Sequence, residues 1–112
     1  MSEIPDDHRS AWTEADRELA ATLWGKLTEP AKALFSILID HPGQKFTGDE
    51  LAHELGLANG RQSTKSVLSR PGALCTEFGR IPLWSWDYPD GKRARYWTTP
   101  EVAGIFRQAR GN

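Results

Sequence analysis

The chain holds 112 residues with a formal net charge of −1, 38% of them hydrophobic and 26% charged. That length gives room for one domain around one modest core, and the composition excludes wholesale disorder. A single cysteine, Cys75, excludes an intrachain disulfide and a thiolate-rich zinc site, which fits a reducing compartment. The longest apolar run, Ala33 to Ile39, is interrupted by Ser36 and is too short to span a bilayer, so no membrane partner is expected. The opening Met-Ser-Glu-Ile-Pro-Asp-Asp lacks the basic and apolar regions of a signal peptide, and a cytoplasmic location is expected.

The near-zero net charge hides a polarity along the chain. Residues 1–29 carry seven acids against three bases, a net −4, whereas residues 59–97 carry seven bases against three acids, a net +4. The molecule is polarised, and for a nucleic-acid partner this distribution matters more than the sum.

In chain order, residues 1–11 read as a flexible acidic segment and 12–112 as the domain. Thr13 can cap a helix over 13–27, with acids in its first turn and on its wet side, and with Trp12, Ala15, Leu19, Leu23 and Leu27 at near-helical spacing. Thr28-Glu-Pro restarts the helix, since proline is tolerated only in a first turn. Ala31, Leu34, Phe35, Ile37, Leu38 and Ile39 then leave almost no polar face, which predicts a central buried helix ending at His41-Pro-Gly.

Thr47 and Glu50 form a capping box ahead of Leu51, Ala52 and Leu55, and Gly56 suits the C-cap. Residues 59–62 offer the next cap. A helix over 60–70 places Thr64, Val67 and Leu68 on one side and Gln62, Lys65, Ser66 and Ser69 on the other, flanked by Arg61, Ser63 and Arg70. Pro71-Gly72 predicts an interruption there, with a short continuation through Ala73, Leu74 and Phe78. Helix, short glycine-containing turn and helix over 47–70 is the helix-turn-helix order.

Residues 81–98 carry the clearest strand pattern. Trp84, Trp86 and Tyr88 alternate with Leu83, Ser85 and Asp87 before the turn Pro89-Asp90-Gly91. A three-residue loop would pair Tyr88 with Lys92, Trp86 with Ala94 and Trp84 with Tyr96 on one face. The other face would pair Asp87 with Arg93, Ser85 with Arg95 and Leu83 with Trp97, giving an aromatic base and a cationic tip. Thr99-Pro100-Glu101 starts a last helix over 100–110, striped by Val102, Ile105, Phe106 and Ala109.

The expected fold class is therefore mainly α with a β-hairpin (α+β). The order of these elements over 28–98 resembles the winged-helix branch of the helix-turn-helix superfamily, here with extra N-terminal and C-terminal helices. Gly79-Arg-Ile-Pro-Leu-Trp, the Asp90-Gly91 turn and the closing Tyr96-Trp97, Phe106 and Ala109-Arg110 are also similar to small uncharacterised actinobacterial proteins with such domains. The winged-helix resemblance implies that helix 60–70 enters the major groove of duplex DNA. Gln62 would pair with adenine, Arg61 and Lys65 would reach guanine or phosphate, and Ser66, Ser69 and Arg70 would contact base or backbone. The wing residues Lys92, Arg93 and Arg95 would lie along phosphates. Sequence-specific DNA binding by a small dimeric transcriptional regulator is the function this implies.

Two other readings stand beside it. Trp84, Trp86 and Tyr88, with Tyr96 and Trp97, could stack on unpaired bases, or they could pack within the protein or against a protein partner. Trp12 and Trp24 on the first helix are candidates for core or homodimer contacts. No enzyme, metal or cofactor is expected. Glu50-x-x-His53 is half of a di-iron ligand pattern without its second half, capping explains Asp49 and Glu50 better, and no phosphate loop or nucleophile elbow is present. Cys75 next to Leu74 reads as a small buried residue.

Overall fold

Threonine caps punctuate the chain, and each starts a helix where its hydroxyl meets an otherwise unpaired N–H. The computed structural model describes residues 10–111, so the acidic stretch expected to be flexible lies almost wholly outside the described residues. After a short 3-10 turn at Glu14–Asp16 come α1 (Arg17–Gly25), α2 (Glu29–Asp40), β1 (Phe46–Thr47), α3 (Gly48–Leu55), α4 (Arg61–Glu77), β2 (Ser85–Asp87), β3 (Arg95–Trp97) and α5 (Pro100–Arg110). The protein is mainly helical with a small antiparallel sheet in the order β1-β3-β2, an α+β arrangement.

Thr28 Oγ1 accepts from the Ala31 N–H at 3.3 Å, Thr47 Oγ1 from Glu50 at 3.0 Å and Thr99 Oγ1 from Val102 at 3.3 Å. At Thr47 the box is complete, because Glu50 Oε1 accepts the Thr47 N–H at 2.8 Å. Helix α2 is central as expected. It buries Ala31, Leu34, Phe35, Leu38 and Ile39, with Ile37 only partly covered, and touches α3, α4 and α5. Its C-terminal end is tied to α5 by Arg107, which donates to the Ile39 carbonyl at 2.7 Å, and by Arg110, which pairs with Asp40 at 2.9 Å. Cations at that end also meet the negative pole of the helix dipole.

The first helix differs from its expected stripe. Ala15 is exposed, while Ala20, Leu23 and Trp24 are buried where α1 lies along α5. Asp16, expected on the wet side, is turned inward. Arg80 donates to it through Nη2 at 2.7 Å and Nε at 3.1 Å, and Asp16 Oδ2 accepts the Thr13 N–H at 2.9 Å. The Arg80 guanidinium, ahead of the Thr13 contacts, holds the Asp16 carboxyl below the usual carboxylate range.

Helix α4 does not stop at Pro71. It continues to Glu77 with Pro71 inside it, fully buried, and with Leu74 and Cys75 also buried. A mid-helix proline costs about 3 kcal/mol through its missing N–H and its clash with the preceding turn. The apolar surface that this last segment covers offsets the cost. Ala73, expected to pack, is exposed.

The hairpin pairs Ser85 with Trp97, Trp86 with Tyr96 and Asp87 with Arg95, a register two residues away from the expected one. Its loop spans residues 88–94. Asp90 Oδ1 accepts the N–H groups of Lys92 at 2.9 Å and Arg93 at 3.0 Å, which withdraws those donors from the strand ladder. A slip of two leaves every side chain on its original face. The two-residue strand β1, too short to show alternation in the sequence, pairs Phe46 with Tyr96 and Thr47 with Arg95.

Candidate nucleic-acid interface

Two glycines and one aspartate set how α3 meets α4. A Cβ on Gly48 would stand 2.8 Å from Arg61 Cβ and 3.2 Å from Arg61 Cα, so the start of α3 lies directly against the start of α4. Thr64, fully buried, donates its hydroxyl to the Gly48 carbonyl at 2.7 Å and locks the approach. Gly60 (φ 55°) takes a left-handed turn whose own Cβ would meet Asp49 Oδ1 at 2.7 Å. That oxygen accepts the Arg61 N–H at 2.9 Å, and Asp49 Oδ2 lies 3.7 Å from Arg61 Nη1. Asp49 thus caps a helix it does not belong to, and it places a carboxylate at the positive end of the α4 dipole.

With Thr64 and Leu68 buried and Val67 partly covered, the opposite face of α4 is wet. Arg61, Gln62, Lys65, Ser66, Ser69 and Arg70 are all exposed, as expected. Lys92 and Arg93 are exposed at the loop tip. Arg61 and Lys65 of α4 line one cleft together with Lys92, Arg93 and Tyr88 of the hairpin, and Gly48, Tyr96 and the Arg61-paired Asp49 also line it. The helix and the loop therefore aim cations at the same place. The Asp90 carboxyl at the tip is held below its usual range by the backbone N–H groups of Arg93 and Lys92, so it stays ionised among these bases.

Arg95, expected with the tip cations, sits within β3 and is engaged. It donates to Asp87 through Nε at 3.0 Å and Nη2 at 2.8 Å, and Lys45 pairs with the same carboxylate at 3.4 Å. The Arg95 contact, and then Lys45, lowers the Asp87 pKa. Lys45 also lies over the Trp97 ring, 4.4 Å from its centroid. This cluster ties the β1 end of the sheet to the hairpin and removes Arg95 from the cations that face solvent alone.

The tryptophans divide into two groups. Trp12 and Trp24, candidates for a dimer contact, are core residues at 5% and 8% exposure. Trp12 stacks edge-on against Phe106 at 4.9 Å and donates Nε1 to the Ile81 carbonyl at 2.8 Å. Neither presents a surface to a partner. Trp86 and Tyr88, by contrast, are each 50% exposed. Trp84 lies between, with its inner side on Phe35 at 5.5 Å between ring centroids and close against Gly72 of α4. These rings, with Lys65, Leu68, Ser69 and Tyr96, line an open groove of about 390 Å³ between α4 and the hairpin.

Asp49, Glu50, His53 and Glu54 line a separate hollow with Phe46. Asp49 and Glu50 are engaged with backbone N–H groups there, and among the described residues no group of three or more His, Cys, Asp or Glu is arranged to hold a metal. Cys75 is buried. Among the described residues no helix is long and apolar enough to cross a membrane.

Residues 17–112 match the family described as a family of unknown function, DUF6416. The chain belongs to DUF6416. No curated protein matches it, and no solved structure does. The family match covers α1 through α5 and therefore both faces of the cationic cleft in this DUF6416 protein.

Proposed function

We propose that this DUF6416 protein is a winged helix-turn-helix protein that binds duplex DNA in a sequence-specific manner, as a small transcriptional regulator in the cytoplasm. In this reading α3 and α4 form the helix-turn-helix, β2 and β3 with their loop form the wing, and α1 and α5 are additions. The observation that carries it is the shared cleft, where Arg61 and Lys65 of the helix converge with Lys92 and Arg93 of the hairpin. Helix α4 then lies in the major groove, with Gln62 and Arg61 or Lys65 reading base edges while Ser66, Ser69 and Arg70 touch edges or backbone. The loop cations hold phosphates and fix the register without reading sequence.

A dimer belongs to the proposal because readers of this type commonly span two half-sites about one helical turn apart. With Trp12 and Trp24 in the core, its interface would use other surface. Sedimentation of the purified protein tests the dimer independently of DNA.

Substituting Arg61→Ala together with Lys65→Ala tests the reading helix. Duplex affinity in fluorescence polarisation should fall roughly tenfold or more, the scale of one missing base-edge pair plus a phosphate contact. Unchanged affinity from the folded double variant would remove α4 from the interface. The second reading, a protein-interaction module, is favoured by one observation, the half-exposed Trp86 and Tyr88. It predicts negligible duplex binding and a protein partner that Trp86→Ala releases.

A further inference from the structure

The aromatic groove and the cationic cleft are not separate features. Lys65, Tyr88 and Tyr96 line both, so a flat apolar slot opens directly onto a basic rim that continues to Arg61, Lys92 and Arg93. No carboxylate lines the groove itself. Its inner ring is held in place: Trp84 rests on Phe35, and the Gly72 position has no room for more than ordinary contact, its Cβ site being 3.4 Å from Trp84 Cη2. Trp86 leans away from Trp84 at 42° with 6.4 Å between centroids, which leaves a wedge of ring surface open to solvent beside Tyr88. Burial, and then Tyr88, raises the pKa of the Tyr96 phenol.

Flat rings beside exposed cations match a ligand that repeats a flat ring beside an anion. We propose that the groove between α4 and the hairpin holds an unpaired base of a single-stranded nucleic-acid segment, stacked on Trp86 and Tyr88 with its phosphate at Lys65. This rests on the reading of the protein as a nucleic-acid binder and adds a second mode to it: duplex contacts through α4 and the loop, and base stacking in the groove. Stacking on aromatic side chains is tolerant of sequence because every base has a π-face. Ser69 supplies a hydroxyl at the groove wall for the base edge.

Three labelled probes of equal length separate the two modes: an oligothymidylate strand, an abasic strand with the same phosphates, and a mixed-sequence duplex. The groove predicts that the thymidine strand binds roughly tenfold more tightly than the abasic strand and alone quenches tryptophan fluorescence. Trp86→Ala should shrink that difference while changing duplex affinity by no more than about twofold, because Trp86 lines the groove and not the cationic cleft, and Trp86→Phe should retain it. The Trp86 side chain is half-exposed, so unchanged thermal melting will show that both variants fold. Equal affinity for the two single strands, with the duplex still bound, overturns base stacking and leaves the duplex reading standing. No binding of any probe overturns both; a protein that then sediments as a dimer, and as a monomer after Trp86→Ala, assigns the face to a second copy of the chain. Displacement of the thymidine strand by polyglutamate, equally strong before and after removal of Trp86, also overturns the proposal.

Discussion

Asp16 and Arg80 stand 64 positions apart, yet their pair closes the N-terminal segment onto the core. Around it the Ser10 N–H donates to the Gly79 carbonyl, Ile81 donates back to Ser10, and Trp12 donates to Ile81. The Asp16 pKa is depressed in the folded protein by Arg80. Its contribution is therefore fully present above the ordinary value of 3.8 and is lost as the pH falls through the lower folded value. Asp16→Asn should lower the melting temperature by several degrees at neutral pH, and the gap to the parent should close as the pH drops below 3.8. A gap that stays constant with pH would mean that the charge is immaterial and only shape matters. Gly48 is the second residue on which much turns. Gly48→Ala brings a methyl to 2.8 Å from Arg61 Cβ, backbone-anchored on both sides. Overpacking of this kind costs about 1–3 kcal/mol, and urea unfolding should report it, with weaker duplex affinity as α4 is pushed off its seat.

At the scale of elements, the caps are the features most exposed to test. Removing the hydroxyl in Thr28→Ala should cost about 1 kcal/mol in urea unfolding, because the Ala31 N–H loses its acceptor at the start of the central helix. No change would mean that α2 is held by packing alone. These starts were legible in the sequence for a physical reason: each threonine finds its partner three residues away, as Thr28, Thr47 and Thr99 do. So was the division of α4 into a buried side with Thr64 and Leu68 and a wet side with Gln62, Lys65, Ser66 and Ser69, since helical periodicity is local. The passage of α4 through Pro71 was not legible, because a local penalty there is outweighed by packing against distant parts of the chain. Nor was the hairpin register. Alternation gives the face of each strand residue, but the Asp90 carboxylate decides where the loop ends. In the site, the cations Arg61, Lys65, Lys92 and Arg93 could be named from the sequence. The roles of Asp49 as the α4 cap, of Gly48 as the point of closest approach, and of Asp87 in holding Arg95 depend on pairings between segments that no local pattern announces.

Across the whole molecule, charge is arranged more sharply than the sum of −1 suggests. Asp16, Asp40, Asp49 and Asp87 are each paired with an arginine. Lys65, Lys92 and Arg93 form no ion pair with a carboxylate among the described residues, and they gather where α4 meets the loop. Association with a phosphate backbone would exploit that imbalance despite the near-neutral total.

The measurement that tests this most directly is the affinity of the purified protein for mixed-sequence duplex DNA as a function of salt, for the parent and for a Lys65→Ala, Arg93→Ala double variant. If Arg61, Lys65, Lys92 and Arg93 each neutralise one phosphate, the plot of log affinity against log salt should fall with a slope of about −3 to −4, and the double variant should make it shallower by about 2. A folded parent protein that fails to bind duplex at low salt, or binds with a slope that the double variant leaves unchanged, would contradict the assignment of this cleft to DNA.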